Sequence, residues 1–104
     1  MLDIVAEIVA ALRNRESVVL ATIISSSGST PLPPGSSMLV KETGKTVLGT
    51  IGGGVIEASV IRESKDFSAG SASSVIKQFE LSEGGSEEGM ICGGTIDVLI
   101  ERIG

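Results

Sequence analysis

Cys92 is the single thiol in this 104-residue chain, and it sits in a glycine-rich run, Gly89-Met90-Ile91-Cys92-Gly93-Gly94. A thiolate is the one soft ligand the sequence offers, suited to a soft metal or to carrying a sulfur atom. The competing reading is a buried, inert cysteine, the more frequent fate of a free thiol. Gly52, Gly53 and Gly54 form a second candidate. Three consecutive glycines let bare backbone approach a ligand, and a helix starting behind them directs free N–H groups and the positive end of its dipole outward, as a phosphate requires. The same glycines would equally serve a tight strand-to-helix turn with no ligand. Glu57, in the first turn of that helix, reads most simply as an acid favoured by the dipole. A third group is the hydroxyl-rich stretch 26–35, which holds Ser27, Ser29 and Thr30 and all three prolines of the chain. It can continue neither a ladder nor a helix, so it is expected to be a long loop, either a ligand contact or a solvated connection stiffened by proline.

Composition removes several chemistries. The chain has no His, so a Ser-His-Asp or Cys-His nucleophile system and imidazole metal ligands are excluded. One Cys forbids an intramolecular disulfide and a zinc cage made of cysteines alone. A net charge of −5 with no Lys/Arg cluster argues against nucleic acid, where phosphate neutralisation supplies most of the affinity. A small anion held by backbone amides stays possible, because that contact needs no basic side chain. No apolar run approaches the roughly 20 residues of a membrane span. The early acids Asp3 and Glu7 and the missing basic start argue against a secretory signal, and a cytoplasmic location is expected.

The elements that must position these residues follow from periodicity. The length fits one domain, and a mean hydropathy of +0.39 with only Phe67 and Phe79 as aromatics predicts an aliphatic core. Leu2, Val5, Ile8, Val9 and Leu12 recur at helical spacing, predicting an amphipathic helix over 2–15. Residues 18–25 are mostly β-branched and apolar, predicting a central strand buried on both faces. Residues 38–41 and 46–51 flank Glu42-Thr43-Gly44-Lys45 and read as a hairpin. The glycines then lead into a helix from Val55 to about Phe67, with Val55, Ala58 and Ile61 on one face and Gly70 near its stop. Residues 75–81 and 95–103 alternate as strands, separated by the acidic, glycine-rich stretch 82–94. The expected fold is α+β, one compact domain with a mixed β-sheet, an N-terminal helix and a helix after the glycine turn.

Two nucleotide-binding motifs nearly occur and fail. Gly44-Lys45-Thr46 ends like a phosphate-binding loop, but the first glycine it requires is Leu39. The dinucleotide fingerprint begun by Gly52 has Glu57 where its third glycine belongs.

Gly28-Ser29-Thr30-Pro31, Pro34-Gly35, Met38-Leu39-Val40, Gly49-Thr50-Ile51-Gly52-Gly53-Gly54 with Glu57, and Gly89-Met90-Ile91-Cys92-Gly93-Gly94-Thr95-Ile96 together resemble the N-terminal domain of the XdhC/CoxI family. These proteins are accessory factors of xanthine dehydrogenase and carbon monoxide dehydrogenase. The resemblance implies binding of the molybdenum cofactor (molybdopterin), help with its sulfuration or protection, and its insertion into a client molybdoenzyme, with no turnover chemistry. It implies a cofactor site drawn from Ser27, Ser29, Thr30, Gly52, Gly53, Gly54, Glu57, Cys92, Gly93 and Gly94, with Cys92 contacting the metal. Many members carry a cysteine where this chain has Val55 and an arginine where it has Leu32. Longer members add a Rossmann-like domain, which here would be a separate chain. The alternative is a non-catalytic oligomerisation or regulatory module that keeps the fold without cofactor handling. Catalysis through Cys92 and Glu57 ranks last, for want of a base. Much apolar sequence in so short a chain also predicts a homodimer.

Overall fold

The computed structural model describes residues 2–28, 32–41, 46–52, 54–69, 74–80 and 94–104. Helix α1 (Leu2–Arg13) leads into strand β1 (Val18–Ser27), followed by β2 (Ser37–Lys41), β3 (Thr46–Gly49), helix α2 (Gly54–Ala69), β4 (Ser74–Glu80) and β5 (Thr95–Ile103). The five strands form one sheet in the order β3-β2-β1-β5-β4.

Helix α1 ends two residues short of the expected boundary, for a local reason. Arg15 adopts φ 58°, its N–H donates to the Leu12 carbonyl, and the Glu16 N–H reaches back to the Ala11 carbonyl. These crossed bonds are the Schellman arrangement, which satisfies the last carbonyls and turns the chain out of the helix.

β1 is the central strand, as its two-sided apolar run predicts, but it extends to Ser27. Ser26 and Ser27, expected in the loop, pair with Ile96 and Thr95. The loop that follows turns at Pro33-Pro34-Gly35-Ser36, where the Ser36 N–H donates to the Pro33 carbonyl and Gly35 takes φ 97°. Proline then glycine at the two central positions is what a type II turn requires. The loop rejoins the sheet through Ile23, whose N–H donates to Ser36 and whose carbonyl accepts from Gly35. β3 stops at Gly49 (φ 84°) rather than at Ile51. The turn over 42–45 and the expected helix stop at Gly70 lie outside the described residues.

The expectation of a mixed sheet is corrected: all four strand pairings are antiparallel. β3 and β4 run in the same direction, as strands joined through a helix do, but α2 carries the chain from one edge of the sheet to the other. Three strands separate them, so no parallel ladder forms.

α2 covers one face. Its Ile56 and Val60 join Val19, Ala21, Ile23, Met38, Val40, Ile51, Ile96, Val98 and Ile100 in a single buried aliphatic cluster. The inward positions are therefore Ile56, Ser59 and Val60; Ala58 is exposed and Ile61 half-buried, a shift from the expected face. On the other face α1 sets Ala11 against Val18 and Leu39, with Ile8, Leu20 and Ile103 beside them. Burying an aliphatic side chain contributes roughly 1.5–3 kcal/mol, so the larger α2 cluster dominates the cohesion of the sheet.

Candidate functional site

The register fixes which connections share an end of the sheet. Ser27 lies opposite Thr95, Glu80 opposite Thr95 on its other side, and Met38 opposite Gly49. β1, β3 and β4 thus finish where β2 and β5 begin. The hydroxyl-rich loop after Ser27, the glycine turn between β3 and α2, and the segment carrying Cys92 between β4 and β5 are all anchored at this one end.

The glycine turn is held from three sides. Ile51 is fully buried in the α2-side core and pins the chain just before the glycines. Gly52 takes φ 126°, a conformation that side chains disfavour, and its N–H donates to Thr50 Oγ1 at 3.2 Å. Thr50 in turn donates its hydroxyl to the Glu57 carboxylate one turn into α2. Gly54 is the first residue of that 16-residue helix, one residue before the Val55 start expected from the sequence.

Ser27 is exposed at the last position of β1 and lies across from the start of β5, where Gly94 is buried. Glu57 is half-buried and engaged with Thr50, which makes it a positioning residue for the turn. Ser29, Thr30, Gly53, Cys92 and Gly93 lie outside the described residues, and so does the metal contact assigned to Cys92. Among the described residues no group of three or more His, Cys, Asp or Glu side chains could hold a metal ion.

A polar cluster missed by sequence reasoning lies at the same end. The Ser25 hydroxyl donates to Asp97 Oδ2 at 2.6 Å and the Gln78 amide to Asp97 Oδ1 at 3.1 Å, joining β1, β5 and β4. A β-bulge between Ile23 and Ser25 inserts one residue and brings Ser25 opposite Asp97. No motif marks a bulge of this kind, so the sequence carried no signal for it.

Charge is distributed unevenly along the sheet. Residues 25–37, 48–59 and 78–97, which make up and flank the three converging connections, include Glu57, Glu80, Glu83, Glu87, Glu88 and Asp97 but no Lys or Arg. Lys41 lies opposite Val18, and Arg102 opposite Val19, both at the other end. A phosphate-bearing cofactor would therefore find neutral donors from this chain, namely glycine-turn amides, the N-terminus of α2 and serine hydroxyls. These fit its acceptor oxygens by hydrogen bonding, with no cation to balance its charge. Leu32, at a position where an arginine would have supplied one, packs against the core. A cavity of about 100 Å³ between α1 and β2, lined in part by Ala11, Val18, Leu39 and Lys41, belongs to the opposite end of the sheet.

An antiparallel five-stranded sheet with a helix on each face, and glycine and hydroxyl connections gathered at one end, defines a small α+β domain built to present loops. A model of the XdhC and CoxI family matches residues 11–79, and the chain belongs to that family. A solved structure from Bacillus halodurans, described as a xanthine dehydrogenase, is similar to this chain at 27% identity with a TM-score of 0.75. That similarity covers 95% of this chain and 30% of the other, so this chain spans less than a third of that protein's length. No curated protein matches the sequence. No described helix is long and apolar enough to cross a membrane.

Proposed function

We propose that this protein is an accessory factor in the maturation of a xanthine dehydrogenase-type molybdoenzyme, and that it binds the molybdenum cofactor at the loop end of the sheet for sulfuration, protection or insertion. Family membership and the similarity to the Bacillus halodurans structure support the accessory role. The observation that carries the location is the convergence at one sheet end of the connections bearing Ser27, Gly52, Gly54 and Gly94. The cofactor supplies the molybdenum chemistry when bound. The chain's part is to hold it: turn amides at Gly53 and Gly54 for phosphate oxygens, with Gly52, whose N–H is held by Thr50, as bare backbone beside them, Ser27, Ser29 and Thr30 for polar pterin or phosphate atoms, and Cys92, followed by Gly93 and Gly94, as the thiol beside the metal. Glu57 fixes the turn through Thr50. The partners in this reading are the client enzyme and a separate Rossmann-domain chain, and the location is cytoplasmic.

The test is anaerobic incubation with molybdenum cofactor released from a molybdoenzyme, followed by gel filtration and metal analysis. Co-elution of molybdenum with the protein, reduced on replacing Gly53 by Val, is the expected result. Molybdenum that elutes entirely with free cofactor overturns the binding role. The absence of Lys and Arg from the loop end favours a second reading, a regulatory module with no cofactor site, and that outcome would select it.

A further inference from the structure

The side of the sheet that carries α1 is only half covered. Helix α1 sets Ala11 and Ile8 against Val18 and Leu20 of β1, Leu39 of β2 and, at its margin, Ile103 of β5. Alternation from Ile103 and the strand register then put Glu101, Leu99 and Asp97 of β5, and Ile76, Gln78 and Glu80 of β4, on the same side beyond the helix. Ile76 is 62% exposed, and Ile24, at the bulge beside Ser25, is 45% exposed. Leu12, with Val5 two turns before it, forms the flank of α1 turned to this strip. A Cβ on Gly104, which follows β5, would lie 3.0 Å from Leu12 Cδ2. Glu7, Ala10 and Asn14 form the other flank, against Leu39 and Lys41 of β2. All five large hydrophobic side chains exposed among the described residues, Val5, Val9, Leu12, Ile24 and Ile76, thus lie on this one side.

We propose that the strip over β5 and β4 is a docking trough for an amphipathic helix of another polypeptide, apolar on the face it buries and bearing Arg or Lys along its flanks. The dimensions are those of one helix. Two strands about 4.8 Å apart make a floor roughly 10 Å wide, and the seven residues of β4 make it about 23 Å long, which a helix covers in about 15 residues. Ile76 and Leu99 on the floor and Val5 and Leu12 on the wall supply the apolar contacts of a helix lying in a groove. Charge selects the occupant. The ionisable side chains on this side of β4 and β5 are Glu80, Asp97 and Glu101, all acidic; Lys77 and Arg102 alternate to the α2 side, where Lys77 pairs with Glu63 at 2.9 Å. Asp97 accepts one hydrogen bond at each carboxylate oxygen, from Ser25 and Gln78, which leaves lone pairs for an incoming guanidinium. The chain's own helices do not supply such a partner. Helix α1 holds Asp3 and Glu7 against Arg13, and α2 holds Glu57, Glu63 and Asp66 against Arg62 and Lys65, so each is net acidic. A helix of a second copy would set acid against acid. The trough lies on the sheet face away from α2 and is independent of the cofactor reading.

Fluorescence anisotropy of the 104-residue chain with a labelled helical peptide of about 16 residues, leucine on one face and arginine on both flanks, tests the proposal. Saturable binding at micromolar concentration is expected, weakened at least about tenfold when glutamate replaces the flanking arginines. Ile76→Lys, at an exposed position, should weaken binding by at least about tenfold while the circular dichroism spectrum is unchanged. The double variant Glu80→Gln with Glu101→Gln should weaken binding at least about threefold and flatten its salt dependence. This charge variant decides the question if Ile76→Lys fails to fold. No binding at about 100 μM, equal binding of the glutamate peptide, or unchanged affinity in the folded variants would each overturn the proposal. So would sedimentation showing a dimer of the free chain that Ile76→Lys dissociates, since a second copy would then occupy the trough.

Discussion

Thr50 donates its hydroxyl to the Glu57 carboxylate and accepts the Gly52 N–H, so one side chain ties the end of β3, the glycine turn and the first turn of α2 together. The two roles of Glu57 separate by substitution. Glu57→Gln keeps an acceptor for Thr50 and removes a negative charge beside the proposed phosphate seat. It should hold stability within about 0.5 kcal/mol and raise affinity for a phosphate-bearing cofactor. Glu57→Ala loses the acceptor and should cost about 1 kcal/mol of stability and lower the affinity. Urea unfolding and cofactor titration of both variants check this. A fall in affinity for Gln as large as that for Ala would make the charge itself a cofactor contact.

Gly49 should tolerate no side chain. Its φ is 84°, and a Cβ built there would overlap the Ser37 carbonyl oxygen, which is backbone and cannot move aside. Gly49→Ala is expected to cost about 2–3 kcal/mol through backbone strain and displacement of the β2–β3 pairing. Thermal unfolding measures it. A change in midpoint of less than a degree would mean that the hairpin relaxes freely.

Much of this architecture was legible because local patterns dictate it. The helical spacing of Leu2, Val5, Ile8, Val9 and Leu12 marks α1, although the side chains it buries are Ile4 and Ala11, and the two-sided apolar run marks β1 as central. What periodicity does not carry is pairing. The antiparallel sheet depends on α2 crossing from edge to edge, and the bulge that brings Ser25 to Asp97 depends on register between residues 72 positions apart. Of the expected α2 face, Ile61 packs against the core and Ala58 is exposed, while Ile56, Ser59 and Val60, which make as good a stripe on paper, are the buried positions. The lack of Lys and Arg in the connections that share one sheet end is likewise a product of topology. Each loop is unremarkable alone, and only their shared end makes the charge pattern visible.

Arg15 supplies a test of opposite sign. It occupies the left-handed position that closes the Schellman turn, where L-residues other than glycine are strained. Arg15→Gly should stabilise the protein by about 1 kcal/mol, because the native φ of 58° favours glycine and the side chain is exposed. A rise in the urea midpoint at unchanged slope is the expected observation. A fall would show that the arginine side chain contributes more than its backbone costs.

Cys92 gives the most direct reading of the proposed site. It stands two residues before Gly94, which is buried where β5 begins beside Ser27 and Glu80. Two residues of chain reach at most about 7 Å between Cα atoms, so the sequence ties Cys92 closely to the start of β5. If it serves as the metal contact, native-buffer labelling with a thiol reagent should be fast in the free protein and slowed at least about tenfold by cofactor, since a metal-bound thiolate is withheld from electrophiles. Cys92→Ser should leave the unfolding midpoint within about a degree and weaken cofactor retention, because a hydroxyl is a poor ligand for a soft metal. Labelling is unambiguous, since the chain has no other thiol. Slow labelling that accelerates only on unfolding would place Cys92 in the core and remove it from the site. Fast labelling that cofactor leaves unchanged would keep it exposed and without a role, and the glycine turn would then have to hold the cofactor alone.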